Sequence, residues 1–441
     1  MNNEYLERMK ELLKDRYDSY LKALDEKPYR SIRLNKIDID TFNKNINMPL
    51  EKIEYDMDGY YLLDDNKYGN HPYHHLGAFY FQEPSAMAPV NLFKFNGDEK
   101  VLDLCASPGG KSSQILRRIP NGLLVSNEID AKRSQVLFSN LERLGYSNAI
   151  ITNNSPHDLA NVFEGYFDVI LIDAPCSGEG MMRKEEEARN GWTLENVILC
   201  HNRDIEIINE ANKMLKKGGH LIYSTCTFSK EEDEDIVEYI KSLGYKLCEG
   251  LDNTVKHLSK GLIDNTYRMY PMDKGEGQFM ALLEKESDGL DFRPKKNKIK
   301  NDKEIDIVKK FIKDNTTLDT NLNIIKNGNR YYLSNVDFSL KDLNVKNFGV
   351  ELGEVINNRF EPYHHFFKAL GHYFKNKVYL SVLDSRVDHY LKGEEIICDS
   401  LPGYGVIVVD GLILGGFKAS NNHLKNHYPK GLRNTTLYFE R

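Results

Sequence analysis

Apolar positions keep a helical rhythm at the start of the chain. Leu6, Met9, Leu12, Leu13 and Tyr17 share one face, which predicts a single amphipathic helix over residues 1 to about 25. The rhythm then shortens. YRSIRLNKI, from Tyr29, and YYLLDD, from Tyr60, predict strands of a small N-terminal α/β module. From Lys100 to Glu284 strand-length apolar runs alternate with longer amphipathic ones. KVLDLCA, GLLVSNEI, NAIIT, FDVILIDAP and GHLIYSTC are the strands; KSSQILRRI, AKRSQVLFSNLERLG and NVILCHNRDIEIINEANKMLKKG are the helices. Such alternation predicts an α/β fold with a parallel sheet covered on both faces. GQFMALLEKES, from Gly277, predicts a closing strand. RPKKNKIKNDK then reads as a charged linker, with six Lys/Arg against one Asp from Arg293 to Lys303. Strand and turn patterns fill the rest. The expected division is 1–75, 76–287, 288–360 and 361–441.

Composition narrows the class. Of 441 residues, 40% are hydrophobic and 28% charged, as in a soluble globular protein of several domains. No apolar run reaches the ~18 residues of a membrane helix, and MNNEYLERMKELLKD has no signal-peptide core, so a cytoplasmic protein with no membrane partner is expected. Six cysteines without a CxxC pair argue against a structural zinc site or a disulfide framework, and no metal is expected. The net charge of −7 argues against a uniformly basic nucleic-acid binder and leaves local patches open.

Candidate chemistry sits at the strand ends. In open α/β sheets ligands bind beyond the carboxyl ends of the strands. DLCASPGGKS lies where the first such strand turns into its helix, and Pro108, Gly109 and Gly110 allow close backbone approach. The stretch is neither GxGxxG nor GxxxxGK[ST], which disfavours dinucleotide and ATP readings. Glu128 ends the next strand, where such folds place an acid on ribose hydroxyls. Together these features point to an adenosine-bearing cofactor. Two later strands end in Asp173-Ala174-Pro175-Cys176 and Thr225-Cys226. If they are neighbours, both thiols and Asp173 meet at one rim, where a thiolate suits covalent catalysis. Cys200, Cys248 and Cys398 read instead as small core residues. Tyr363-His364-His365 reads as a packed loop rather than a metal site.

LDLCASPGGKS, NEIDAKR, LIDAPCSGEGMMRK and YSTCTFSKEEDE together resemble the ordered motifs of RNA cytosine-5 methyltransferases of the Sun/NSUN type. RSIRLN and GAFYFQEPSAMAP are similar to that family's lead-in, and GFKASNNHLKNHYPKGLR is similar to the PUA-like tail of its RsmF branch, which acts on 16S ribosomal RNA. The resemblance implies a class I, Rossmann-like methyltransferase domain between a small N-terminal RNA-binding module and a C-terminal PUA-like region. It implies S-adenosyl-L-methionine as cofactor and RNA as partner. By resemblance, Cys226 attacks carbon 6 of cytosine and Cys176 assists elimination. Asp173 faces the cytosine edge or the methionine end of the cofactor, and Lys111 fixes the base or its phosphate. Cys105, Ala106, Ser107, Pro108, Gly109, Gly110 and Lys111 line the methionine part, Glu128 the ribose, with Arg133 bracing it, and Ser155 the adenine side. The acidic KEEDEDIVE reads as a helix start without a catalytic role.

Affinity for RNA is expected from local basic surface. From Gly411 onward there are five Lys/Arg and one acid, interleaved with His423, His427, Tyr428 and Tyr438, a mixture suited to unstacked bases. A monomer is expected. The rival readings are a tRNA cytosine-5 methyltransferase and a non-catalytic RNA-binding assembly factor; the pair Cys176 and Cys226 argues against the second. A DNA enzyme would show Pro-Cys-Gln, whereas Ser177 follows Pro175-Cys176 here.

Overall fold

Near-continuous runs of Val, Ile and Leu become five parallel strands in the computed structural model, which describes residues 2–296, 303–319 and 321–433. They are β1 (Lys100–Asp103), β2 (Leu123–Asn127), β3 (Ala149–Thr152), β4 (Phe167–Asp173) and β5 (Leu215–Thr225), with β6 (Gln278–Lys285) antiparallel to β5. The order is β3-β2-β1-β4-β5-β6, so strand order reverses between β1 and β4. Helices α1 (Gly110–Arg118), α2 (Ala131–Leu144), α3 (Pro156–Phe163), α4 (Leu194–Met214) and α5 (Glu234–Ser242) cover both faces. Phe163, Ile208 and Ile236 pack on one face; Ile115, Leu137 and Met87 pack on the other. Buried on both sides, the central strands have no polar face to show, which is why they read as uninterrupted apolar runs.

The sheet is mixed, where a parallel one was expected. Tyr245–Cys248 and Thr266–Met269 both pair antiparallel with β6, Ser259–Lys260 lies outside them, and Val345–Asn347 pairs antiparallel with β3. These additions are two to four residues long, too short to carry a period. The last of them brings the region after residue 288 onto the catalytic sheet. Elsewhere that region holds a helix, Lys303–Asn315, and a four-stranded antiparallel sheet between Ile324 and Pro362. Of the charged stretch 293–303, residues 297–302 lie outside the described residues. Its start is anchored rather than free: Lys296 bridges to Phe338, and Lys295 pairs with Asp342 at 2.8 Å.

The N-terminal helix is two helices, not one. Asn3–Leu13 and Tyr17–Leu24 are separated at Lys14, whose φ is 49°. The break lets Tyr5, Met9, Leu13, Tyr20 and Leu24 converge on Trp192, Phe228 and Tyr270. The strands that follow form an antiparallel sheet with Ser31–Leu34 between Gly59–Leu62 and Phe79–Phe81. Its apolar face does not close on itself. Ile32, Leu34, Phe42 and Phe79 share one core with Val378, Leu414, Phe417 and Leu424 of the five-stranded C-terminal sheet. Asp410, in the hairpin turn of that sheet, accepts hydrogen bonds from Tyr73 (3.0 Å) and Asn45 (3.3 Å).

Several local expectations change with this packing. His364 and His365 open a helix, His364–Leu370, instead of a loop; both are buried, and His365 bonds the Glu351 amide and the Tyr146 carbonyl. Tyr428 is buried, packed against His364 and Tyr390, and His427 packs against Phe367 and Tyr404. Neither is free to stack on bases. His423 is exposed and pairs with Glu395 at 2.7 Å. Tyr438 lies outside the described residues. Cys200 is buried as expected, whereas Cys248 and Cys398 are only partly buried, resting on the margins of two cores.

Candidate active site

The carboxyl ends of β1, β2, β4 and β5 lie together at the reversal of strand order, the position where open α/β sheets bind ligands. On the β1 side, Cys105 to Gly110 turn the chain into α1. Gly109 has φ 107°, and a Cβ there would meet Leu137 Cδ1 at 3.1 Å, so the turn needs glycine. The loop is fastened from α2: Arg133 donates to the Ser107 carbonyl (3.0 Å), Ser107 Oγ donates to the Arg133 carbonyl (3.0 Å), and Asn140 donates to the Pro108 carbonyl (2.9 Å). Ala106 donates to the Asn127 carbonyl at 2.8 Å, tying the loop to β2. The Ser107–Pro108 bond is cis.

Glu128 is buried at the end of β2; its carboxylate accepts from the Asp130 amide (2.9 Å) and faces Arg133 at 3.4 Å. Ser155 caps α3, accepting from the Asp158 amide. Between them, Asn153 and Asn154 bond reciprocally with Asn344 of the region beyond the sheet.

Charge sets what this half can hold. Asp103 is buried, bonded only by Ser112 Oγ at 2.6 Å, with its other carboxylate oxygen unpartnered. Burial pushes its carboxyl up to about 7, with Asp173 and Glu128 adding to the rise. Two cations face these three acids: Lys111 at Asp173 (2.8 Å) and Arg133 at Glu128 (3.4 Å). Asp103 is left with Ser112 as its partner, and its ionised form suits a cationic ligand. A glycine turn, a buried acid where such folds bind ribose and the half-satisfied carboxyl of Asp103 fit an adenosine-bearing cofactor with a cationic centre.

On the β4/β5 side, Asp173 is the hub. Lys111 Nζ lies 2.8 Å from Oδ2, while Ser224 Oγ (2.8 Å) and Gln278 Nε2 (3.0 Å) donate to Oδ1. The strands are hydrogen-bonded neighbours with Asp173 opposite Ser224, as the convergence of their ends requires. Their next residues bring Cys176 Sγ and Cys226 Sγ to 3.1 Å, both as free thiols. The Cys226 amide also points at Cys176 Sγ (3.3 Å). The hydrogen bond to Cys226 and burial hold the Cys176 thiol well above its ordinary range.

Four residues that the sequence did not mark as functional hold this arrangement: Ser224, Gln278, Glu179 and Glu232. Glu179 accepts from the Phe228 amide (2.8 Å), Ser229 Oγ (2.6 Å) and Trp192 Nε1 (2.6 Å). Glu232 accepts from the Ser177 amide (2.8 Å) and Ser177 Oγ (2.5 Å). The acidic run is thus mostly inside the protein. Glu232, Asp233 and Glu234 are buried, and Arg268 pairs with the last two at 3.0 and 2.5 Å. Helix α5 does start at Glu234, but burial of the acids before it was the missed signal. The loops also meet where Gly180 passes Gly277: a Cβ on Gly180 would lie 2.8 Å from Gly277 Cα.

Comparison with known proteins covers most of the chain. Residues 90–284 match the family model described as 16S rRNA methyltransferase RsmB/F, residues 1–84 the N-terminal domain of 16S rRNA methyltransferase RsmF, and residues 368–434 the methyltransferase RsmF PUA domain. The ribosomal RNA small subunit methyltransferase F of Shewanella oneidensis is 30% identical, over 94% of this chain and 93% of its own. The chain belongs to the ribosomal RNA small subunit methyltransferase F family. The relative from Vibrio vulnificus strain YJ016 is 29% identical over 97% of this chain and 96% of its own. In fold, the chain is similar to NSun6 from Pyrococcus horikoshii, solved with SFG, with a TM-score of 0.59 at 22% identity over 65% of this chain and 99% of that one. Like its relatives, this member of the methyltransferase F family is an S-adenosylmethionine-dependent RNA methyltransferase with a Rossmann-like catalytic domain and a PUA-like C-terminal domain. No helix among the described residues is long and apolar enough to cross a membrane.

Proposed function

We propose that the chain methylates carbon 5 of a cytosine in 16S ribosomal RNA through a covalent bond from Cys226 to carbon 6. The observation that carries the reading is the pair of thiols 3.1 Å apart beside the Lys111–Asp173 ion pair. A carbon 5 of cytosine is a poor nucleophile until a thiolate adds at carbon 6 and makes it enamine-like. Cys226 is assigned that addition. Cys176 is held in its protonated form, which suits donation to its neighbour and assistance in elimination rather than attack. S-adenosylmethionine supplies the electrophilic methyl group when bound. Transfer of the carbon-5 proton to water then lets the carbon–sulfur bond break, and its electron pair returns to Cys226 as the thiolate.

Asp173 accepts from Ser224, Gln278 and Lys111, so its carboxylate is fixed where the cytosine N3/N4 edge or the methionine end is expected. Lys111 is assigned to the base or its phosphate. Residues 105–111, Glu128, Arg133 and Ser155 are assigned to the cofactor. A duplex-paired base cannot reach a cleft at the strand ends, so the target is single-stranded or flipped out. The 16S target rests on the names of the relatives and family models. Residues 1–75 and 361–441 are proposed as RNA-binding parts on either side of a catalytic domain at 76–287, working as a cytoplasmic monomer without a metal. Bisulfite sequencing of cellular RNA with and without the gene tests the function: one 16S cytosine should lose its protection, and a lost site confined to tRNA would favour the rival target.

A further inference from the structure

We propose that Glu179 and Glu232 form a reciprocal clamp that sets the separation of the two thiol loops, with Glu232 the positioning residue for Cys176. The inference rests on the thiol roles given above. Each carboxylate leaves one loop and ends on the other. Glu179, three residues after Cys176, reaches the Phe228 amide and Ser229 hydroxyl beyond Cys226. Glu232, six residues after Cys226, reaches the amide and hydroxyl of Ser177, next to Cys176. Ser177 Oγ also meets Thr227 Oγ1 at 2.9 Å, and the Gly180 amide donates to the Cys226 carbonyl at 2.8 Å.

Two buried carboxylates are a costly way to join two loops, since each must be stripped of water. An apolar contact would hold the loops together but would let them slide. Charge-assisted hydrogen bonds are short and directional, and they fix the register of the backbone beside each thiol. The sulfur atoms at 3.1 Å are the feature that such a register protects.

The clamp is also poised to titrate. Burial pushes Glu232 up to about 7, and the Ser177 bonds pull the other way. The titratable groups facing it are Glu179, Cys176, Cys200, Asp204, Tyr223 and Asp233; no cation is among them, Glu179 favours its protonated form, and the hydrogen bonds of Ser177 and Cys200 favour its ionised form. As pH falls through 7, Glu232 gains a proton and loses acceptor capacity toward Ser177, and the Cys176 side slackens.

The test compares full-length wild type, Glu232→Gln and Ser177→Ala. Iodoacetamide labelling of the free protein, read cysteine by cysteine by mass spectrometry, needs no RNA. Cys176 labelling should rise several-fold in both variants, with Cys248 and Cys398, far from Glu232, unchanged; the latter two report global loosening. Trp192, the only tryptophan, sits on Glu179 and reports the other arm by its fluorescence. With 16S rRNA transcript and S-adenosylmethionine, turnover of Glu232→Gln should fall at least about tenfold, since ångström-scale misplacement costs that much or more. Denaturant-resistant protein–RNA adduct should accumulate, and, at saturating S-adenosylmethionine, the decline of turnover expected below pH 7 in wild type should be absent from the variant. Unchanged Cys176 labelling in both variants overturns the clamp. Raised labelling with lost turnover and no adduct keeps the clamp and overturns the thiol roles.

Discussion

Around β1 and β2 the site is fastened from α2 by exposed groups 26 and 32 residues from the glycine loop. Arg133, Ser107 and Asn140 fasten the glycine loop through main-chain carbonyls, and Glu128 takes its amide from two residues on. Around β4 and β5 the cleft is held by buried carboxylates that cross between loops 50 and 55 residues apart in the chain. The half proposed for the cofactor is joined by exposed hydrogen bonds; the thiol half is joined by buried carboxylates over longer chain separations, with both cysteines themselves partly exposed. A half that only binds tolerates small shifts. On the proposed mechanism the thiol half makes and breaks a bond, which needs its two sulfurs held in register.

The sharpest way to break this comparison is to separate the thiols. Cys226→Ala should abolish both methyl transfer and adduct. Cys176→Ala should stop turnover yet accumulate a denaturant-resistant protein–RNA band, and the double mutant should resemble Cys226→Ala. Reversed bands would make Cys176 the nucleophile; full activity in both single mutants would make the thiols core residues.

A smaller effect is expected on the cofactor side. Glu128→Ala should weaken S-adenosylmethionine binding by about 1.5–3 kcal/mol, the range for a lost charged hydrogen bond. Arg133→Ala should cost less than about 1 kcal/mol, because its pair with Glu128 is exposed on the arginine side. Calorimetry giving equal losses would remove the distinction between buried and exposed fastenings.

Asp103 offers a pH test of the same half. Its carboxyl is raised to about 7 in the free protein, and a bound cation favours its ionised form. Cofactor affinity should therefore be full above pH 7 and fall as pH drops below it, by no more than about tenfold per pH unit for one linked proton. Asp103→Asn should flatten the profile. For stability the sign is opposite: the raised carboxyl favours the folded state at low pH, and that contribution fades as pH rises from about 4 to 7.

The smallest effect concerns RNA. Lys418 and Lys425 face each other across two strands of the C-terminal sheet, both exposed. Like charges opposite one another destabilise a sheet, and a phosphate between them would remove that penalty. Replacing both with Gln should weaken RNA binding a few-fold and lower the salt slope by about 1.4–1.8. An unchanged slope would give the pair no part in phosphate contact.

The two halves also differ in what was legible beforehand. β1 to β5 were plain because strands buried on both faces are apolar throughout, and the Gly109 turn and Glu128 follow at fixed spacing. Both thiols were readable as strand-end residues. Glu179 and Glu232 were not, because nothing local distinguishes a buried acid from a helix cap. The edge strands were too short to show a period, and the break at Lys14 is made by packing on Trp192 and Phe228. Tyr428 looked like a base-stacking residue because its buried neighbours, His364 and Tyr390, come from far away in the chain.

The sheet around Ile32 and the sheet around Phe417 complete a single core. During synthesis the first of these emerges with its apolar face bare, and the strands that cover it are added nearly four hundred residues later. At about 5–20 residues per second that is a wait of tens of seconds. The nascent chain is exposed to aggregation throughout that interval, and a truncated transcript would yield a polypeptide that never shields this face. Binding of a holdase chaperone to stalled chains should be strongest for those ending before residue 403 and should drop once the hairpin at Asp410 clears the exit tunnel.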